Sequence, residues 1–140
     1  MELTANALQT VGINQNVLFT DEAVKSKNCS IVHRDGSGLV SLRGITNQCR
    51  ARFQVSFGGN VGLPTGATVE PILLAITING EPVLTTTMIS TPAAVEEFNN
   101  IFSSIFLDVP YSCCYQIGVT NIGTTEVDVQ NANLIVERVA

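Results

Sequence analysis

The sequence predicts an all-β chain folded as a jelly-roll β-sandwich of about eight to ten short antiparallel strands, and three observations predict it. Turn signals recur along the whole length: Asp35-Gly36-Ser37-Gly38, Gly58-Gly59-Asn60, Asn79-Gly80, Pro110 and Asn121-Ile122-Gly123. The runs between them are short and alternate apolar with polar residues, the period of a half-buried strand. No internal repeat or low-complexity segment interrupts them.

Residues 1–15 show little periodicity and are expected to form an N-terminal arm, which leaves residues 16–140 as the jelly-roll domain. Val17–Thr20, Ser30–His33 and Leu39–Arg43 are short strand candidates. Cys49–Gly58 is the clearest strand, with Ala51, Phe53, Val55 and Phe57 on one face and Arg50, Arg52, Gln54 and Ser56 on the other. Pro71–Asn79 is apolar on both faces and reads as a central strand. Asn79-Gly80 then signals a hairpin whose two turn residues need φ > 0, with Val83–Ile89 as the return strand.

Thr91-Pro92 followed by Glu96-Glu97 predicts a short helix: a capping threonine, proline at the first position and acids at the positive end of the dipole. Ile101–Val109 alternates again, with Phe102, Ser104, Phe106 and Asp108 opposite the aliphatic face. Two phenylalanines on the second face of a strand predict a covering layer or a subunit contact. Cys113–Thr120 and Glu126–Val139 complete the set. The phase change near Gln130-Asn131 predicts a bulge.

Charge is sparse and segregated along the chain. Only 14% of the residues are charged and 45% are hydrophobic. Lys25, Lys27, Arg34, Arg43, Arg50 and Arg52 fall within 28 residues that contain one acid, Asp35, and the 85 residues between Arg52 and Arg138 contain only acids. A solvated surface intersperses both signs, so this pattern predicts surface that faces other protein. The composition is too apolar for disorder, and no uncharged apolar run approaches the ~18 residues of a membrane span. The N-terminus lacks the basic and apolar regions of a signal peptide, so synthesis in a cytoplasm is expected. A net charge of −5 and basic residues without interleaved aromatics argue against nucleic acid as a partner.

Candidate chemistry is thin. His33 is the only histidine, and a triad with Asp35 and a serine lacks the nucleophile-elbow context. Cys29 and His33 with two further cysteines lack the close cysteine spacing of a structural zinc site. Cys29, Cys49, Cys113 and Cys114 are expected as reduced, packed side chains, with disulfide pairing left open. Glu96-Glu97 point apart and make no glycosidase pair. Asp35-Gly36-Ser37-Gly38 has neither phosphate-loop nor dinucleotide spacing. Asn28-Cys29-Ser30 matches a glycosylation sequon, without the export signal that would give it meaning. No enzyme, metal or cofactor is expected. Arg43, Arg50 and Arg52 are a candidate docking patch for acidic protein.

Several phrases resemble one family. Cys49–Gly62 (CRARFQVSFGGNVG) is similar to the central strand of the C1q/TNF-like jelly-roll superfamily, Thr77-Ile78-Asn79-Gly80 to its hairpin, Val109–Asn121 (VPYSCCYQIGVTN) to its turn and following strand, and VQNANLIVERVA to its closing strand. A Gly-x-Tyr that often opens the central strand is absent, with Arg52-Phe53 near its place. The whole chain resembles small jelly-roll proteins of Firmicutes and their phages, of the head-fibre or capsid-decoration type.

The resemblance implies a compact homotrimer, with Phe102 and Phe106 as trimer-interface residues, and a bacteriophage virion as its location. It implies a trimeric capsid-decoration or head-fibre module, partnered by itself and by a major capsid or other virion protein; charge and hydropathy, as above, predict no nucleic acid and no membrane. The alternative is a trimeric receptor- or glycan-binding tip of a phage fibre or spore surface. The absence of Trp counts against glycans, and the absence of a collagen-like Gly-X-Y stalk counts against the spore.

Overall fold

The computed structural model describes residues 1–27 and 29–140; the sequon's Asn28 lies outside them. In chain order the strands are β1 (Glu2–Ala5), β2 (Gln9–Val11), β3 (Asp21–Val24), β4 (Ile31–His33), β5 (Val40–Arg43), β6 (Arg50–Gly62), β7 (Ile72–Ile78), β8 (Glu81–Pro82), β9 (Met88–Ser90), β10 (Asn99–Pro110), β11 (Cys114–Asn121) and β12 (Val127–Arg138). They form two six-stranded antiparallel sheets packed as a jelly-roll sandwich. The front sheet runs β10-β6-β12-β1-β3, with β2 also on β12; the back sheet runs β4-β5-β11-β7-β8, with β9 also on β7.

Alternation decides which side chains enter the sandwich. Ala51, Phe53, Val55, Phe57 and Val61 of β6 point inward with Leu134 and Val136 of β12, and meet Leu42, Leu74, Ile76, Ile117 and Val119 of the back sheet in one core. Phe57 and Phe19 meet edge-on at its centre, with ring centroids 6.3 Å apart. β7 lies inside its sheet, with β11 on one side and β8 and β9 on the other, and Ala75 and Thr77 are buried as well as Ile72, Leu74 and Ile76, as its double apolar pattern predicts. Asn79 and Gly80 take φ values of 51° and 83°, the left-handed pair that a tight hairpin requires. The register of β12 on β6 shifts between Gln130 and Asn133, and Asn131 has φ 57°, so the expected bulge is present.

Four expectations are corrected. Residues 1–15 are not a free arm: β1 pairs with β12 from Glu2↔Ile135 to Ala5↔Ala132, β2 pairs with β12, and Leu3 is fully buried. These strands are too short to show a period, and only their pairing partner reveals them. Val17–Thr20 is not a strand, although Val17 and Phe19 are buried. Its backbone is satisfied elsewhere, with the Gln9 side chain bonding both N–H and C=O of Leu18 at 2.9 Å. The paired segment is the charged β3 that follows, an edge strand with little to bury.

The return strand expected at Val83–Ile89 is broken by a 3₁₀ turn at Leu84–Thr86. There the buried Thr86 hydroxyl accepts from the Ile76 N–H at 2.9 Å, in place of a ladder partner. No helix forms at Thr91–Glu97, because Glu96 sits at φ 63° and its N–H donates to the Leu63 carbonyl at 2.9 Å. A left-handed residue cannot continue a right-handed helix.

Candidate functional site: the outer face of the front sheet and the cleft at its end

The outer face of the front sheet is assembled by register. Phe106 lies opposite Gln54, which lies opposite Glu137; Ser104, Ser56 and Ile135 form the next row, and Phe102, Gly58 and Asn133 the next. Phe102 and Phe106 are 66% and 61% exposed, a large unmet apolar area for two side chains on one strand. The side chain missing at Gly58 leaves the Phe102 ring in ordinary contact range of that position.

The Ser56 and Ser104 hydroxyls are 2.9 Å apart. Beyond Phe102 runs a row of amides: Asn100 Nδ2 donates to Asn60 Oδ1 (3.2 Å), Asn60 Nδ2 to Asn131 Oδ1 (3.1 Å), and Asn131 Nδ2 to Asn6 Oδ1. Between Gln54 and Asn60 no side chain of β6 or β10 on this face carries charge. Across the same sheet, Met1, Val24, Ile135 and Val136, rimmed by Glu2 and Glu137, line a shallow depression of about 260 Å³.

The arginines divide between the sheets. Arg50 and Arg52 share the outer face of β6 at one end of the front sheet, whereas Arg43 ends β5 in the back sheet. Arg52 Nε and NH2 donate to the two Asp108 oxygens at 2.8 and 3.1 Å, and Arg50 lies 3.7 Å from the same carboxylate. The Arg52 hydrogen bond holds the Asp108 carboxyl below its ordinary pKa, against a smaller opposing effect of burial. Of the docking patch expected at Arg43, Arg50 and Arg52, the last two are thus engaged with Asp108 on the front sheet, and Arg43 lines the cleft at the end of the sandwich. The segregation of charge along the chain is also undone at this point, because the β6–β10 pairing sets a basic-segment residue against an acidic-segment one.

Arg43 lines an open cleft of about 820 Å³ at the end of the sandwich, between residues 44–48 and 111–114, with Arg138 on its wall. Arg138 NH1 donates to the Ile45 carbonyl at 2.6 Å and to the Ser30 hydroxyl at 3.3 Å, which ties the front sheet's last strand to the back-sheet loop. A side chain at Gly44 would meet the Pro110 carbonyl oxygen at 2.0 Å, so only glycine permits this closure. Tyr111 is exposed at the cleft.

The cysteines gather at this same end. Cys113 and Cys114 line the cleft, the Cys49 carbonyl accepts from the Tyr111 N–H at 2.9 Å, and Cys29 precedes Ser30, whose carbonyl accepts from Arg43 N–H at 2.8 Å. All four are free and exposed, which corrects the expectation of packed thiols: they lie in turns and at strand ends, outside the alternating core positions. His33 meets no serine hydroxyl; its ring nitrogens face Glu22 and the Ser37 carbonyl. Sequence reasoning found the two phenylalanines by alternation. It missed the amide row, Ile135 and Arg138, which are brought to their sites by cross-strand register alone.

No protein-family model and no curated protein matches the chain. Among solved structures, the globular domain of a zebrafish complement 1qA protein superposes with a TM-score of 0.61 at 9% identity, over 96% of this chain and 93% of that one. The fold is a C1q/TNF-like jelly roll. A family 35 carbohydrate-binding module from Clostridium thermocellum also aligns over 96% of this chain and 98% of that one, at 15% identity, but its TM-score of 0.38 carries no argument. At these identities the likeness extends to the jelly roll alone. No helix among the described residues is long and apolar enough to cross a membrane.

Proposed function

We propose that this jelly roll assembles as a homotrimer through the outer face of its front sheet and serves as a virion structural protein, a capsid-decoration or head-fibre module docked on the shell. The observation that carries the self-association is the pair of exposed rings, Phe102 and Phe106, on an otherwise uncharged stretch of sheet. Two exposed rings flanking a serine row on one uncharged face are surface that a protein partner can cover.

The same sheet offers the complement. The rings stand on the edge strand β10, and the apolar depression of Met1, Val24 and Ile135 lies on the β12-β1-β3 side. A knob on one side and a hollow on the other make a head-to-tail contact, which closes into a ring when the rotation is right. The serine row beside the rings and the amide row beyond Phe102 supply hydrogen-bonding groups that tolerate burial once paired.

Light scattering on the purified chain tests the trimer, and a monomer mass at micromolar concentration overturns it. Imaging of the parent particle tests the role: copies distributed over the head support decoration, and copies confined to a tail tip overturn it. The reading of a receptor- or glycan-binding tip is favoured by a different feature, the open cleft with Arg43, Arg138 and exposed Tyr111. Binding on a glycan array, lost in an Arg43→Ala variant, selects that reading.

A further inference from the structure

Glu22, His33 and Asp35 are brought together from both sheets, and nothing in the trimer reading uses them. Glu22 lies on β3, at the edge of the front sheet; His33 lies on β4, at the edge of the back sheet; Asp35 lies in the turn that follows. Their ligating atoms all fall within 4.8 Å of one another. The turn is held on both sides by Phe19: its carbonyl accepts from Gly36 N–H at 3.2 Å, and its N–H donates to the Ser37 carbonyl at 3.3 Å. Gly36, at φ 77°, permits the bend. Asp35 is therefore positioned by backbone, not left on a loose loop.

The His33 side chain is fully buried, and both ring nitrogens face oxygen acceptors. Nε2 lies 2.9 Å from the Ser37 carbonyl, which has no hydrogen to give, so Nε2 carries the proton. In the neutral ring Nδ1 then turns a lone pair toward Glu22 Oε1 at 3.2 Å. Two lone pairs at that distance need a positive centre. A proton or a divalent cation supplies one, and the Asp35 carboxylate within 4.8 Å offers a cation its third ligand atom. A ring N–H donated to a backbone carbonyl is also how metal-ligating histidines are oriented.

We propose that Glu22, His33 and Asp35 form a divalent-cation site of the zinc class, with Nδ1 and two carboxylate oxygens as ligands and an open position for water. The ion clips the two sheets together at their open edge. Since it binds only where both edge strands are in place, it stabilises the folded sandwich through linkage. The site is independent of the trimer and virion proposals.

Zinc titration of the full-length chain tests it, in a background with Cys29, Cys49, Cys113 and Cys114 changed to serine so that no thiol competes. All four are exposed, which keeps the background folded. Calorimetry should give one site per chain, and at roughly 100 times Kd the unfolding midpoint should rise by roughly 5–10 °C. His33 is the only histidine, so one imidazole NMR signal should shift during the titration. Glu22→Gln and Asp35→Asn should each weaken binding by ~10-fold or more, with far-UV circular dichroism like the parent's before zinc is added. Should one variant misfold, the other still reads the site. An unmoved midpoint and imidazole signal, or parent-like affinity in a folded variant, overturns the proposal.

Discussion

Replacing Phe102 and Phe106 by serine together is the sharpest perturbation of the proposed assembly. A phenylalanine presents about 200 Å² of surface when fully exposed. At 66% and 61% exposure the two rings offer roughly 130 and 120 Å², or about 250 Å² per protomer. At ~25 cal/mol per Å², complete burial of that area is worth about 6 kcal/mol per interface, an upper bound. Realising half of it still changes the dissociation constant by about 100-fold.

Sedimentation velocity across a concentration series reads the shift directly: the parent should hold its trimer mass where the double variant runs as monomer. The monomer itself should be barely affected, because neither ring enters the core; surface changes of this kind alter stability by about 0.5 kcal/mol or less. If the variant keeps the parent's mass at every concentration, the face does not mediate association. A variant that unfolds assigns the rings a role within the protomer and equally refutes the reasoning.

Phe57→Ala should cost about 3–5 kcal/mol in urea unfolding, because the ring is fully buried between the sheets and leaves a cavity. A double-mutant cycle with Phe19→Leu should return about 0.5–1.5 kcal/mol of coupling for the edge-on pair, and a value near zero removes that pair from the core's energetics. Asp108 has a folded pKa below its unfolded value, because of Arg52. Its stabilisation is therefore full above about pH 4 and is lost as pH falls through the folded value; acid titration of stability should flatten in Asp108→Asn, and an unchanged acid limb denies the pair any role. The native chain should yield four thiols per molecule to a thiol reagent without denaturant. Fewer than four rapid equivalents would return some of them to the interior or to disulfides.

Much of the central fold was legible because strand alternation is a local property. Phe53, Val55 and Phe57 against Arg52 and Gln54 define the inner and outer faces of β6 without reference to any other strand. The Asn79-Gly80 turn and the Gln130-Asn131 bulge were legible for the same reason, since each reports a backbone demand within a few residues. The misses were strands too short or too polar to carry a period, β1, β2 and β3, and a helix signal at Thr91–Glu97 that the Glu96–Leu63 bond overrides.

By itself, the sequence determined the sandwich and the inner and outer faces of its clearest strands, with Phe102 and Phe106 opposite the aliphatic face of theirs. Only the tertiary structure decided what those faces meet. Register set Arg52 against Asp108 and aligned the amide row, and the packing of the sheets set Cys113 and Cys114 in a cleft with Arg43 and Arg138 and brought Glu22 within reach of His33. The physical reason is that a strand's period says which way a side chain points, whereas its neighbours are chosen by pairing between segments as distant as Glu2 and Ile135.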